Sequence, residues 1–229
     1  MTEQHPTIPT WSFPLFLSVI ISLFFISPVL GGIGLGKFFY KGIFVALSIS
    51  YVYMVSRKKG QIILAIFLAI PGIFVTLSTD SFEYSKAELL AYISNLILYL
   101  FVISVVFSYV RNQRVVDRSI IAGAVCIYLL LGLVWAFIYM IIELLSPHSF
   151  NGLYSSNVLS ISSVSEVFNH LFYYSYVTLT TLGYGSISPR SIVASAFSSA
   201  EAITGQLYFA IFMARLVGLY TAQEFQPKN

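Results

Sequence analysis

The chain has 229 residues, of which 58% are hydrophobic and 9% are charged, and its mean hydropathy is +0.86. Soluble globular proteins carry about 25% charged residues, so this composition excludes a soluble globular protein and a disordered one. The net charge of +3 without a basic block excludes a nucleic-acid partner, and one cysteine excludes a disulfide framework and a cysteine-based metal site. We therefore expect an all-α protein embedded in a lipid bilayer, with no cofactor.

Six apolar stretches are long enough to cross a membrane, which takes about 20 residues of helix. We expect the first to be a retained span rather than a signal peptide, because the residues before Trp11 include Glu3 and no Lys or Arg. The predicted spans are residues 13–35, 38–56, 61–79, 89–110, 119–142 and 191–220.

The basic residues predict the orientation of these spans, because short cytoplasmic loops carry an excess of Lys and Arg. With the N-terminus in the cytoplasm, eight of the twelve basic residues lie inside and four lie outside. The sequence therefore predicts a multi-pass protein of the plasma (inner) membrane with both termini cytoplasmic.

The connection between the fifth and sixth predicted spans is long, with 48 residues from Glu143 to Arg190. Within it, residues 164–178 are apolar and aromatic but too few to cross the bilayer, and Ser163 and Glu166 form a capping-box start. We expect a re-entrant half-helix whose C-terminal end points into the membrane. Irregular backbone at that depth is tolerated only where it lines an enclosed or water-filled path.

The half-helix is followed by Thr180-Thr181-Leu182-Gly183-Tyr184-Gly185. Rings of backbone carbonyl oxygens can replace the hydration shell of a monovalent cation, and aiming successive carbonyls at one axis needs backbone angles of alternating hand. Glycine adopts positive φ without steric cost, which explains Gly183 and Gly185. Gly-Tyr-Gly alone also fits an external turn, but its position between a half-helix and a spanning helix favours a filter.

This motif resembles the T-T-V/I/L-G-Y-G selectivity filter of potassium channels, and residues 119–220 resemble the helix–pore-loop–helix unit of bacterial-type members of that superfamily. The resemblance implies a passive potassium channel, not an enzyme, built as a homotetramer. It implies K+ ligands at Thr181, Leu182, Gly183, Tyr184 and Gly185. Thr180, Tyr173 and Tyr174 are then expected to support the filter, with Tyr184 packed against the aromatic half-helix.

The resemblance extends into the sixth predicted span. Gly205 stands 20 residues after Gly185, where the family often has an inner-helix hinge. Helical spacing then places four side chains on one face, which we expect to line the cavity, although the same spacing fits ordinary helix packing. These four are Gln206, Phe209, Met213 and Val217.

Glu201 lies one turn before Gly205 inside the sixth predicted span. A carboxyl at membrane depth is costly and marks a candidate functional residue, so we expect Glu201 to brace the filter from behind; a buried neutral group is the alternative. Many family members have Asp after Gly-Tyr-Gly and some pair it with a half-helix carboxylate, whereas this chain has Ser186 and Val177. Any inactivation behaviour that depends on that pair is therefore not expected to carry over.

The sequence divides into a four-helix region, residues 1–118, and a pore domain, residues 119–229. A voltage sensor needs about 3–4 gating charges per subunit, but residues 89–110 contain no Lys or Arg. Arg111, Arg114 and Arg118 fit a cytoplasmic linker. We expect a weakly voltage-dependent channel without an attached cytoplasmic ligand domain; the alternatives are a less selective cation channel and a non-conducting accessory subunit.

Overall fold

The computed structural model describes residues 17–22, 42, 45, 46, 49, 50, 59–78, 86–112, 118–153 and 164–224. Residues 17–22 are helical, and Ile20 is buried in the core. Most of the first and second predicted spans lies outside the described residues. The longer elements are α1 (Lys59–Ser78), α2 (Lys86–Asn112), α3 (Arg118–Leu145), β1 (Phe150–Asn151), α4 (Val164–Leu179), β2 (Ser188–Pro189), α5 (Ile192–Leu207), a π-helical turn (Tyr208–Met213) and α6 (Ala214–Glu224).

Within these described residues, three helical stretches are long and apolar enough to cross a membrane, namely Glu88–Arg111, Ile120–Leu145 and Ile192–Ala222. A shorter apolar stretch, Ile62–Phe74, lies in α1. The prediction of an all-α membrane protein is confirmed, and the last three predicted spans coincide with these three helices. The number of spans in the whole chain stays a prediction.

Aromatic rings join α2, α3 and α4. Phe137 of α3 lies 5.0 Å from Tyr99 of α2 and 5.0 Å from Phe168 of α4, measured between ring centroids. Tyr92 of α2 also stacks on Phe168, at 6.2 Å. Tyr99, Phe137 and Phe168 are fully buried, so the N-terminal half of α4 is held in the largest part of the core.

The C-terminal half of α4 is held on α3 by hydroxyl groups that donate to helix carbonyls. Tyr176 donates to the Leu129 carbonyl at 2.5 Å, and Ser175 lies 2.7 Å from the Gly132 carbonyl. Gly132 faces the Tyr176 ring so closely that a Cβ would come within 2.5 Å of it. Glycine at position 132 therefore sets the separation of α3 and α4.

A short antiparallel ladder closes the end of the bundle where α3 ends and α5 begins. Phe150 pairs with Pro189, and Asn151 pairs with Ser188. The Ser149 carbonyl accepts hydrogen bonds from the backbone N–H groups of Arg190 and Ser191, at 2.7 and 3.1 Å. The chain leaving the Gly-Tyr-Gly segment is thereby tied to the loop that follows α3.

The opposite end of the bundle joins α2 to the last helix. Arg215 of α6 donates from Nη2 to the Arg111 carbonyl at 2.9 Å, and Phe107 stacks on Phe212 at 5.6 Å. A guanidinium at the last turn of a helix satisfies a free carbonyl and complements the negative end of the helix dipole. Sequence alone could not identify this contact, because it joins residues 104 positions apart in the chain.

Replacing Gly132 by Ala should lower the thermal stability of the protein. The new methyl would overlap the Tyr176 ring, and overpacking of a core costs about 1–3 kcal/mol. The midpoint of thermal unfolding in detergent measures this, with Gly60→Ala as the control because nothing lies within 4 Å of a Cβ at Gly60. Equal midpoints for Gly132→Ala and the wild type would contradict the packing described.

Candidate functional site

The helix α4 is 16 residues long, about 24 Å, which is shorter than the hydrocarbon core of a bilayer. It begins at the predicted residue, Val164, and ends at Leu179, one residue beyond the prediction. Glu166 lies in its first turn, whereas the predicted cap Ser163 lies outside the described residues.

The backbone after α4 folds back on the last turn of that helix. The N–H groups of Leu182 and Gly183 both donate to the Val177 carbonyl, at 2.9 and 3.3 Å. Thr180 donates from its hydroxyl to the Tyr176 carbonyl at 2.6 Å. These bonds satisfy the free carbonyls that any helix leaves at its C-terminus, and they fix where the Gly-Tyr-Gly segment begins.

Backbone angles alternate in hand along this segment. Thr181, Gly183 and Gly185 have φ of +58°, +63° and +79°, whereas Leu182 and Tyr184 are not among the described residues with positive φ. Positive φ is strained for threonine and free of strain for glycine. The left-handed angles at the two glycines are those that the sequence predicted.

The whole segment is open to its surroundings in a single chain. All residues from Thr180 to Ser186 are exposed, and the exposed fraction is 55% for Leu182 and 68% for Tyr184. Tyr174 and Tyr176 of the same chain are buried against α3, and the expected packing of Tyr184 on the half-helix stays a prediction. Tyr173 is 41% exposed and is left accessible to a second molecule.

Two serines mark the start of α5 and the face of this helix that is buried. Ser191 caps the helix by accepting the Ala194 N–H at 3.1 Å, and Ser198 accepts from the Tyr174 hydroxyl at 2.7 Å. One turn further, Glu201 is completely buried. Its carboxyl oxygens lie against the hydroxyls of Tyr139 on α3 and Ser175 on α4. Neither partner could be identified from sequence, since they lie 62 and 26 residues away.

Gly205 lies against the end of α4. A Cβ at this position would come within 2.1 Å of the Leu179 carbonyl oxygen, so only glycine permits this close approach. The position is regular helix, and the departure from α-helical geometry begins at Tyr208, in the π-helical turn. The structure therefore gives Gly205 a packing role, while its proposed hinge role stays a prediction.

The four side chains predicted to share a face lie in different environments. The Gln206 amide donates to the Thr181 hydroxyl at 3.1 Å, and Phe209 is 60% exposed with its ring 6.2 Å from Tyr128. Met213 is half-buried against the core, whereas Val217 is 63% exposed. The prediction assumed an unbroken 3.6-residue period, and a π-helical turn rotates the residues that follow it relative to that period.

One comparison with known proteins bears on this half of the chain. Residues 120–222, just under half of the chain, match a protein family described as "Ion channel". The match supports a two-transmembrane ion-channel pore domain for α3 to α6 and points to transport through a membrane rather than to catalysis. No curated protein matched the chain.

We expect Gly205→Ala to weaken the seating of α5 on α4, because the added methyl would overlap the Leu179 carbonyl and force the two helices apart. The cost of such overpacking is about 1–3 kcal/mol per chain. Thermal unfolding of the purified protein measures it, and Gly218→Ala on α6 is the matched control, since a Cβ there meets nothing within 4 Å. An undiminished midpoint for Gly205→Ala would show that the approach to Leu179 is not as close as described.

Proposed function

We propose that this protein is a passive, potassium-selective ion channel whose pore is formed by four copies of the chain. The carrying observation is the alternation of left-handed backbone at Thr181, Gly183 and Gly185. The segment lies between a helix too short to span a membrane and one long enough to do so. The ion-channel match over residues 120–222 supports the same class of function.

The alternation of hand matters because of where it sends the carbonyl groups. In an ordinary strand, successive carbonyls point to opposite sides, whereas alternating left- and right-handed residues turn them towards one side. Carbonyls of residues 181–184, with the Thr181 hydroxyl, would then replace the water around a K+ ion. No resident cofactor is part of this proposal, because the permeant ion is the cargo.

We propose four chains because each chain supplies a single segment of carbonyl ligands. A ring of carbonyls requires further strands around the same axis, and identical chains provide them by rotational symmetry. The single chain leaves apolar surface on α5 and the π-helical turn, including Ile203, Leu207 and Phe209. Apolar surface of this extent beside an exposed filter segment is what neighbouring copies and lipid would cover.

The C-terminus of α4 adds an electrostatic reason for a cation. The C-terminal end of a helix dipole carries a partial negative charge, and residues 180–183 are bonded to this end. We place Arg111 and Arg215 on the cytoplasmic side of the plasma membrane, with both chain termini, by the excess of basic residues in the loops.

Replacing Gly183 or Gly185 by Ala should abolish or sharply reduce K+ flux. Left-handed geometry costs an L-residue roughly 1–2 kcal/mol, and four chains would bear that cost in one ring. The measurement is K+-driven flux into liposomes containing the purified protein, and Gly218→Ala is the control, because this glycine has no positive φ.

The outcomes separate the proposal from its alternatives. Flux that is carried by K+ but not by Na+, and is lost with either glycine, supports a selective filter. Equal K+ and Na+ permeability would favour a less selective cation channel, for which Ser186 in place of an acidic residue is the relevant feature. Absent flux from a folded wild-type tetramer would favour an accessory subunit.

We also expect the conductance to depend weakly on voltage. Moving one elementary charge across the membrane is worth about 2.3 kcal/mol per 100 mV, and residues 89–110 of α2 offer no basic side chain to be moved. Patch recordings over a range of holding potentials would measure the slope of the conductance–voltage curve. A steep curve equivalent to several charges per tetramer would contradict this expectation.

A further inference from the structure

The polar groups around Glu201 form a closed cluster between α3, α4 and α5. We define the carboxyl cluster as Tyr139, Tyr174, Ser175, Ser198 and Glu201. Glu201 is 0% exposed, and Ser175 is 0% exposed. One carboxyl oxygen, Oε2, lies against the Tyr139 hydroxyl, and the other, Oε1, lies 2.5 Å from the Ser175 hydroxyl. Two of its members, Tyr174 and Ser175, belong to α4, the helix whose C-terminal end leads into the segment proposed as the filter.

Three further contacts, made by the two serine hydroxyls, complete the cluster. The Ser175 hydroxyl also lies 2.7 Å from the Gly132 carbonyl. The Ser198 hydroxyl lies 2.7 Å from the Ala194 carbonyl and 2.7 Å from the Tyr174 hydroxyl. Together with the two carboxyl contacts, the cluster has five oxygen–oxygen contacts at hydrogen-bonding distance.

The number of available hydrogens decides the state of the carboxyl. Each contact needs one hydrogen, but the four hydroxyl groups supply only one hydrogen each. If Ser198 donates to Ala194, Tyr174 to Ser198, Tyr139 to Glu201 and Ser175 to Gly132, then the contact between Ser175 and Glu201 lacks a hydrogen. A proton on Oε1 of Glu201 supplies it, and every hydrogen in the cluster is then used once.

An ionised Glu201 leaves one of the Ser175 contacts repulsive. If Ser175 donates to the carboxylate, two bare oxygens face each other at 2.7 Å on the Gly132 side; if it donates to Gly132, they face each other at 2.5 Å on the Glu201 side. Among the described residues, the titratable groups that interact with Glu201 are all tyrosines, and none of them is a cation that could balance a carboxylate. These are Tyr128 and Tyr139 on α3, and Tyr174 and Tyr176 on α4. An unpaired buried charge is strongly unfavourable.

We propose that Glu201 is a neutral carboxylic acid at neutral pH and serves as a positioning residue, donating to Ser175 of α4 while accepting from Tyr139 of α3. This role rests on the proposed channel function, since it fixes α4 behind the filter without placing a charge there. The neutral acid joins α3, α4 and α5 through one side chain.

The proposal distinguishes glutamine from leucine at this position. The amide of glutamine donates through Nε2 and accepts through Oε1, as a protonated carboxyl does. Leucine has a similar volume but no polar atoms, so the Ser175 and Tyr139 hydroxyls would each lose a buried partner. A buried polar group without a partner destabilises the packing around it.

A second buried carboxyl provides the internal control. Glu143 is 1% exposed, but its Oε1 and Oε2 accept the backbone N–H groups of His148 and Ser149, at 2.6 and 3.0 Å. Both oxygens act as acceptors in these two contacts, which lie outside the carboxyl cluster. Glu143→Gln is therefore a matched variant at a second buried carboxyl.

Infrared spectra of the protein in lipid membranes at neutral pH, taken as the difference between the wild type and each variant, test directly for the proton on Glu201. We expect the wild type to show a carboxylic-acid C=O stretching band that is lost in Glu201→Gln and retained in Glu143→Gln. A band unchanged in Glu201→Gln would overturn the proposal. This arm does not depend on conduction, so failure of the channel function and failure of this inference are distinguishable.

Flux tests the positioning role in the same variants. We expect Glu201→Leu to lower K+ flux into liposomes by about tenfold or more, which corresponds to one lost buried hydrogen bond, and Glu201→Gln to recover most of it. Glutamine as defective as leucine would overturn the role of a neutral acid. Should Glu201→Leu fail to assemble, the infrared comparison and the flux of Glu201→Gln relative to wild type still decide the matter.

Discussion

A segment of backbone that belongs to neither helix nor sheet has to be enclosed when it lies within a membrane. Each unsatisfied N–H or C=O group in hydrocarbon costs several kcal/mol, so such segments persist only against protein or water. We propose that residues 180–186 are such a segment, and in the single chain all of them are exposed. Their exposure is why we propose further copies of the chain around them.

The contacts that hold α4 between α3 and α5 are close and leave no room for larger side chains. Glycine at positions 132 and 205 lets α3 and α5 approach α4 until a methyl group on either would overlap it. Hydroxyl groups of Tyr176 and Ser175 bond to carbonyls of α3, and Tyr208 does the same from the π-helical turn, at 2.6 Å from the Ala124 carbonyl. In a membrane interior, where helices gain little from hydrophobic association, small residues and interhelical hydrogen bonds are what hold helices together.

Local patterns in the sequence predicted the elements but not the way they meet. The apolar length of α4 and Glu166 in its first turn placed its start, because helix starts depend on nearby residues. The partners of Glu201 and the contact of Gly205 with Leu179 depend on which helices pack against each other. A single sequence does not determine this packing. The π-helical turn was missed for a different reason: apolar periodicity assumes an unbroken α-helix, so it cannot place residues such as Met213 relative to those before the turn. The cavity-lining role of Met213 stays a prediction.

The central claim is that four copies of residues 180–186 meet on one axis and coordinate K+. The most direct measurement is an electron cryomicroscopy structure of the purified protein in lipid nanodiscs, determined once with K+ and once with a large organic cation. The account predicts a fourfold ring with ion density between the carbonyls of residues 181–184 in K+ alone. A well-ordered assembly in which these segments face lipid, or lie apart from one another without axial density in K+, would contradict it.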